Sequence, residues 1–243
     1  MNGSRSSTLG FGLLALAVFL GLSVAGMSIG RGFAHSRKAD RFVTVRGLAE
    51  RDVPADLVVW PISFMVTGEE LAAIDNDVGR RRATVVAFLY EHGFDSTQVS
   101  HGAPQITDTH VQMHYGERTG RGPRYIARTT VLLRSGDVAK AKAAMERAGD
   151  LVARGVVVAE EDWRATTEFL FLGLNDIKPA MIEEATRNAR EAAQKFAVDA
   201  QSELGSIRTA TQGLFSISDR DRNSPDIKTV RVVTTVQYFL AGK

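Results

Sequence analysis

NDIKPAMIEEATRNAREAAQKFAVDAQSELG, residues 175–205, carries the strongest periodic signal in the chain. Small or apolar residues recur at Met181, Ala185, Ala189, Ala193, Phe196, Ala200 and Leu204, in steps of four or three that hold one stripe on one side of a helix. The spacing predicts a helix that Gly205 ends. On the other face Glu183, Arg187, Glu191, Lys195 and Asp199 stand four apart, a ladder of ion pairs worth about 0.2–0.5 kcal/mol each. A stripe this rich in alanine lets a helix lie close against a sheet. The segment therefore reads as the piece that completes a core, and the rest of the chain should supply the sheet.

Strand patterns on either side meet that need. Phe42, Val43 and Val45 lead into Gly47, and LVVWPISFMV follows at 57–66, so two adjacent strands joined by a turn around Asp52 to Asp56 are expected. Pro61 has no N–H to give a ladder and marks an edge strand or a bulge. A helix comes next, with Thr67 and Glu70 as a capping box and Leu71, Ile74, Val78, Val85 and Leu89 as its buried stripe, ending at Gly93. Residues 98–115 read as a strand with Asp108, His110, Gln112 and His114 on one face, and a Gly- and Arg-rich turn, GERTGRGPR at 116–124, joins it to YIARTTVLLR at 125–134 as a hairpin. Ser135 caps a shorter helix through Val138, Ala141, Met145 and Ala148, closed by Gly149. GVVVA and TTEFLFLGL then lead into the long helix. In the closing strand, Val230, Val232, Thr234, Val236 and Tyr238 alternate with Arg231, Val233, Thr235, Gln237 and Phe239, so both faces are partly covered. The expected class is α+β, with antiparallel-rich sheets and three helices, one of them long and Ala-rich.

Ahead of this lies a different kind of segment. Residues 9–29, LGFGLLALAVFLGLSVAGMSI, hold no charge over about the 20 residues that a bilayer-spanning helix needs. The expected layout is a short tail at 1–8, a transmembrane signal anchor at 9–30, a juxtamembrane linker at 31–40 and a folded domain at 41–243. A cleaved signal peptide ending near Ser23 and Ala25 is the alternative; the apolar run continues through that cut, which favours the anchor. Arg31, Arg37, Lys38 and Arg41 follow the run while Arg5 alone precedes it, so the positive-inside rule by itself would keep the domain cytoplasmic.

Charge and composition narrow the chemistry. The chain has 243 residues and a net charge of +2, yet residues 42–243 carry 25 basic and 27 acidic side chains. The basic excess sits beside the apolar segment, where anionic headgroups would attract it. Cysteine is absent, which removes thiol nucleophiles, cysteine-based zinc sites and disulfides. Aromatics are not interleaved with arginines as a nucleic-acid stacking module requires, so no nucleic-acid partner is expected. No G-x-S-x-G elbow and no Walker pattern occurs. The acid pairs Glu69–Glu70 and Glu160–Glu161 fall at a helix start and in a loop, where structural use is the rule.

Three clusters remain. His110 and His114, with Asp108, share a strand face, but on an extended strand the two histidines stand about 13 Å apart, too far for one ion without a bend. Arg80, Arg81 and Arg82 form a basic run on the first helix of the domain, and residues 116–124 bring three more arginines. A solvated polar face is the ordinary account of the first two and a plain hairpin turn of the third; metal binding or hydrolysis at His110 and His114, a lipid or partner site at Arg80 to Arg82, phosphate contact at 116–124 and anionic-lipid binding at the arginine clusters are the competing ones. No catalytic, cofactor-binding or metal-ligating residue is assigned on this basis.

Three stretches carry a family resemblance: VTVRGLAERDVPADLVVWPISFMVTGEE at 43–70, YIARTTVLLRSGDVAKAKAAMERAG at 125–149, and EEATRNAREAAQKFAVDAQSELGSI at 183–207 with VRVVTTVQYFL at 230–240. With them the chain resembles the SIMPL domain (DUF541) family of exported bacterial proteins. The turn at Pro54, Ala55 and Asp56 departs slightly from the family's adjacent Pro-Asp. The resemblance implies an α+β domain outside the cytoplasmic membrane, self-association, and a link to envelope or oxidative stress. It implies no catalytic residues. The function expected is thus that of a non-enzymatic, membrane-anchored envelope protein, held to the bilayer through residues 9–29, acting as a homo-oligomer or through an envelope partner.

Overall fold

The computed structural model describes residues 18–28, 41–112, 122–158 and 166–242. Residues 18–28 form a helix, α1, whose apolar side chains are exposed, among them Phe19 and Leu22. No helix among the described residues is long and apolar enough to cross a membrane. Residues 9–17 and 29, the rest of the apolar stretch, lie outside the described residues.

Beyond α1 the order is β1 (Phe42–Pro54), β2 (Leu57–Gly68), α2 (Leu71–Glu91), β3 (Val99–His101), β4 (Gln105–Asp108) and α3 (Thr109–Gln112). There follow β5 (Tyr125–Ser135), α4 (Val138–Glu146), α5 (Asp150–Ala153), β6 (Glu168–Leu170), α6 (Leu174–Asp199), β7 (Ser202–Gln212), β8 (Ser216–Asp219) and β9 (Ile227–Gly242). The α+β class and the antiparallel pairing match expectation; beyond α1, the longer helices are α2, α4 and α6, and α3 and α5 are single turns. The chain divides into two compact units, one made of residues 50–178 with 216–230, the other of the chain up to Ala49, Pro179–Phe215 and Arg231 onward.

In the first unit β2 and β5 pair antiparallel over their whole length, from Val58 opposite Ser135 to Gly68 opposite Tyr125. This register sets Trp60 beside Leu133, Ile62 beside Val131, Phe64 beside Thr129 and Val66 beside Ala127, all on one buried face. Cross-strand neighbours of this kind are the unit of sheet stability. Ile74, Val78, Val85, Phe88 and Leu89 of α2 fill the same core, joined by Ala141 and Ala144 of α4 and Leu151 of α5. On the other face the hydroxyls of Ser63 and Thr130 meet at 2.8 Å. The sheet order is β3-β5-β2-β6, with β4 also on β5. Since β6 covers only Leu57 to Val59, Pro61 stands past its end, at the edge its missing N–H demands.

Several local readings need correction here. The turn at Asp52 to Asp56 does not make a hairpin, because β1 pairs with β9 and β2 with β5, in separate sheets. Asp56 instead clamps a distant loop: its carboxylate accepts the N–H groups of Leu172 and Gly173, both at 2.8 Å. Thr67 makes no capping box, since β2 runs on through it and Glu70 caps α2 without a side-chain bond. The cap of α4 is Asp137, which accepts Lys140 N–H at 3.0 Å, while the Ser135 hydroxyl accepts Asp137 N–H. Gly149 lies ahead of α5 rather than at the end of α4. The strand assigned to 98–115 breaks into β3, β4 and the α3 turn; Thr109 bonds the carbonyls of Pro123 and Arg124 and so bends the chain there.

The other sheet has the strand order β1-β9-β7, with β8 also on β9; residues 42–49, 202–212 and 231–242 of it belong to the second unit. Ala189 and Ala193 of α6 pack with Val45 of β1 and with Val236 and Tyr238 of β9. The approach is closest at Gly47, where a Cβ would stand 1.8 Å from Ala185 O and 2.5 Å from Ala189 N. Asn188 donates to Leu48 O at 2.8 Å and fixes the register of helix on strand. The buried stripe is Met181, Ala185, Ala189, Ala193 and Ala197, a pure step of four; Phe196 is 58 % exposed. Glu183, Arg187, Glu191, Lys195 and Asp199 form no ion pair among the described residues.

Nor does Gly205 end α6. The helix stops at Asp199, and Gln201 takes the left-handed conformation, φ 51°, with its N–H on Val198 O. A side chain in that region costs about 1–2 kcal/mol, and glycine avoids the cost. Gln201→Gly should therefore stabilise the protein by about 1 kcal/mol, offset in part by the freer unfolded chain; a urea midpoint that falls would contradict this account of the helix end.

Candidate functional site

The residues singled out by the sequence do not converge. Asp108 ends β4, and its carboxylate accepts His110 N–H at 3.0 Å and pairs with Arg124 at 3.3 Å. His110 sits in the α3 turn rather than on an extended face, and His114 lies outside the described residues. Among the described residues no three His, Asp or Glu side chains gather as a metal site would require. Glu160–Glu161 and most of the 116–124 turn also lie outside the described residues.

The arginine run on α2 is not one solvated face. Arg80 pairs with Asp77, Arg81 donates to Met65 O on β2 at 3.1 Å, and the Nε of Arg82 is buried without a partner. Only the first of the three points to solvent as the sequence reading supposed. Arg81 serves the helix–sheet contact and Arg82 is half-buried, which leaves little of the cluster for a lipid surface.

Two clefts offer more. The larger, about 840 Å³, belongs to the first unit. Pro54 and Ala55 form one wall and the first turns of α4 the other, with Lys142, Glu146 and Asp226 at the rim. All its charges but Glu146 are already matched. Lys142 Nζ lies 2.6 Å from Asp226, and Asp137 both caps α4 and pairs with Lys140 at 3.3 Å. The Lys142 bond, chiefly, holds the Asp226 carboxyl below its ordinary value.

The second cleft, about 610 Å³, lies in the other unit between α6 and β7. Thr186, Arg187 and Arg190 line it from the helix, with Glu183 beside them; Ser206 and Ile207 line it from the strand, and Tyr238 of β9 from below. Here the polar groups are not matched. Tyr238 is 3 % exposed, and its hydroxyl is buried with no hydrogen-bond partner. β7 shifts register between Leu204 and Ile207, a bulge that sets Gly205 and Ser206 together against Phe239 of β9. Gly205 fits there because a Cβ would stand 3.0 Å from Phe239 O.

The SIMPL family, described as a protein of unknown function (DUF541), matches residues 43–238 of the chain. The chain belongs to the SIMPL family. No curated protein matches it. The match begins in β1 and ends on Tyr238, so the SIMPL region includes every element from β2 to β8 and every residue that lines either cleft.

Nothing in the sequence marked Tyr238, Arg187 and Arg190 of this SIMPL domain as a group. The tyrosine read as one alternating strand residue and Arg187 as a rung of an ion-pair ladder. The bulge that brings Ser206 to them has no sequence signature beyond a glycine.

The Lys142–Asp226 pair gives a pH-dependent expectation. A carboxyl held low in the folded state adds stability above its unfolded pKa, near 3.9, and that stability is lost as pH falls through the folded value. Both side chains are partly exposed, 46 % and 21 %, so Lys142→Met should cost under about 1 kcal/mol at pH 7. The difference from the parent should shrink as pH falls through the folded value of Asp226 and vanish once that carboxyl is protonated in both proteins; urea titrations from neutral to acid pH measure it.

Proposed function

We propose that this SIMPL protein is a non-enzymatic envelope protein, anchored in the cytoplasmic membrane by residues 9–29, whose folded part faces outward and acts by self-assembly. The observation that carries the reading is β7. Among the described residues this 11-residue strand pairs with β9 alone, and nearly all of its side chains are exposed on both faces. A long unpaired edge is a template for another strand unless something covers it. β1 is the opposite edge of the same sheet, so a second copy offers both a like and a complementary strand. The anchor would hold such copies at one membrane surface. The family resemblance links such an assembly to envelope or oxidative stress.

Gly213 N–H bonds Val233 O at 2.8 Å, and strand alternation then turns the N–H groups of Thr211 and Thr209 toward β9 and those of Ala210 and Gln212 outward. Ala210→Pro therefore blocks the edge without removing a bond to β9. The mass of the detergent-solubilised full-length protein tests the proposal: oligomers are expected for the parent and a lower mass for Ala210→Pro. A parent that stays monomeric at high concentration refutes assembly. A phosphatase fused after Lys243 should be active; an inactive one, with a fluorescent cytosolic fusion in its place, refutes the orientation.

A further inference from the structure

We propose that the cleft between α6 and β7 binds a small molecule that joins one oxyanion, a phosphate monoester or a carboxylate, to an apolar group. The ligand-directed observation is the Tyr238 hydroxyl. Left unpaired, a buried hydroxyl costs about 1–3 kcal/mol, whereas phenylalanine would fill the same space without the cost. Such a group persists where an outside partner completes it. Thr234, also buried and unpaired on β9, does not line the cleft, whereas Tyr238 does, so Tyr238 is the β9 orphan at the cleft wall.

The rest of the wall fits the same ligand. Arg187 and Arg190 stand three apart on α6, neighbours on one helix face, and neither joins an ion pair among the described residues. Their guanidinium forks match the paired oxygens of a carboxylate or phosphate. Thr186 and Ser206 add hydroxyls from the two sides, the latter delivered by the bulge. Ile207, 49 % exposed, supplies apolar surface. Glu183 leaves the wall with one net positive charge, which selects a single oxyanion over a polyphosphate. A volume of about 610 Å³ is larger than a bare anion fills and lies within the usual range for small-molecule sites.

Calorimetric titration of the full-length protein with phenyl phosphate, phenylacetate, phenol and inorganic phosphate tests this. One of the two aromatic anions should bind saturably and more tightly than phenol or phosphate, and which one does so identifies the oxyanion. Arg187→Gln and Arg190→Gln should each weaken that binding about tenfold. Tyr238→Phe should weaken it several-fold while raising the melting temperature of the free protein, opposite signs that a purely structural tyrosine would not give. Ala210→Pro should leave it unchanged, which separates the site from assembly. The proposal is overturned if neither aromatic anion saturates, if phosphate or phenol binds as tightly, or if the Arg187, Arg190 and Tyr238 variants bind like the parent.

Discussion

Gly47→Val, at a buried position of β1, is expected to destabilise the protein by more than about 3 kcal/mol. The reason is the identity of the atoms in the way. A Cβ at Gly47 would meet Ala185 O at 1.8 Å, Ala189 N at 2.5 Å and the Ala185 carbonyl carbon at 2.9 Å. All three are backbone, so no rotamer change clears the space and α6 itself must move off β1. Overpacking of ordinary cores costs about 1–3 kcal/mol when side chains can yield; here they cannot. Trimming the helix, as in Ala185→Gly, should not rescue the variant, because the clash is with the main chain. Gly79 on α2 is the control: nothing lies within 4 Å of its Cβ position, and Gly79→Ala should add about 0.5–1 kcal/mol through helix propensity. Urea unfolding of the three variants, with hydrogen exchange read at α6, decides the matter. A loss below about 1 kcal/mol for Gly47→Val would show that the helix does not sit this close.

Phe88→Ala should cost about 3–5 kcal/mol, the usual range for emptying a phenylalanine site in a packed core. Phe88 is fully buried on α2, in the cluster that joins that helix to β2 and β5. Its ring also lies 4.3 Å from the His92 ring, and the Arg154 guanidinium stands over it at 6.0 Å while bonding Glu91 through two nitrogens, at 3.0 and 2.7 Å. Removing the ring thus loosens the end of α2 as well as opening a cavity. Phe88→Leu keeps most of the apolar volume and should cost about 1 kcal/mol or slightly more. A urea midpoint that drops with an unchanged slope would report lost stability alone; near-equal losses for Ala and Leu would mean that the ring contacts, not the volume, matter.

How far the fold was legible depended on the distance over which its causes act. The alanine repeat of α6 encodes close approach to a sheet locally, and Gly47 is its counterpart. The end of the stripe was misread because an aromatic at Phe196 looked more like core than Ala197. The helix keeps its row of residues four apart on the sheet, and the large ring falls outside that row. The partner of β1 was not legible. Turn residues at Asp52 to Asp56 suggest a hairpin, but the strand that pairs with β1 lies at the far end of the chain, and nothing local announces a contact of that sequence separation. The second cleft depends on such a long-range pairing plus a bulge, so its residues were visible one by one and not as a set.

The order β1-β9-β7 has a consequence in time. β9 is the middle strand of its sheet, yet it follows both neighbours in the chain. During synthesis β1 and β7 emerge first and have no ladder to join until Ile227–Gly242 arrives between them. Closing so long a loop is slow and leaves both strands open to other chains meanwhile. A polypeptide interrupted before Ile227 would therefore lack the centre of this sheet rather than a dispensable tail, and a cell that makes this protein must keep those two strands apart from company until the last strand is made.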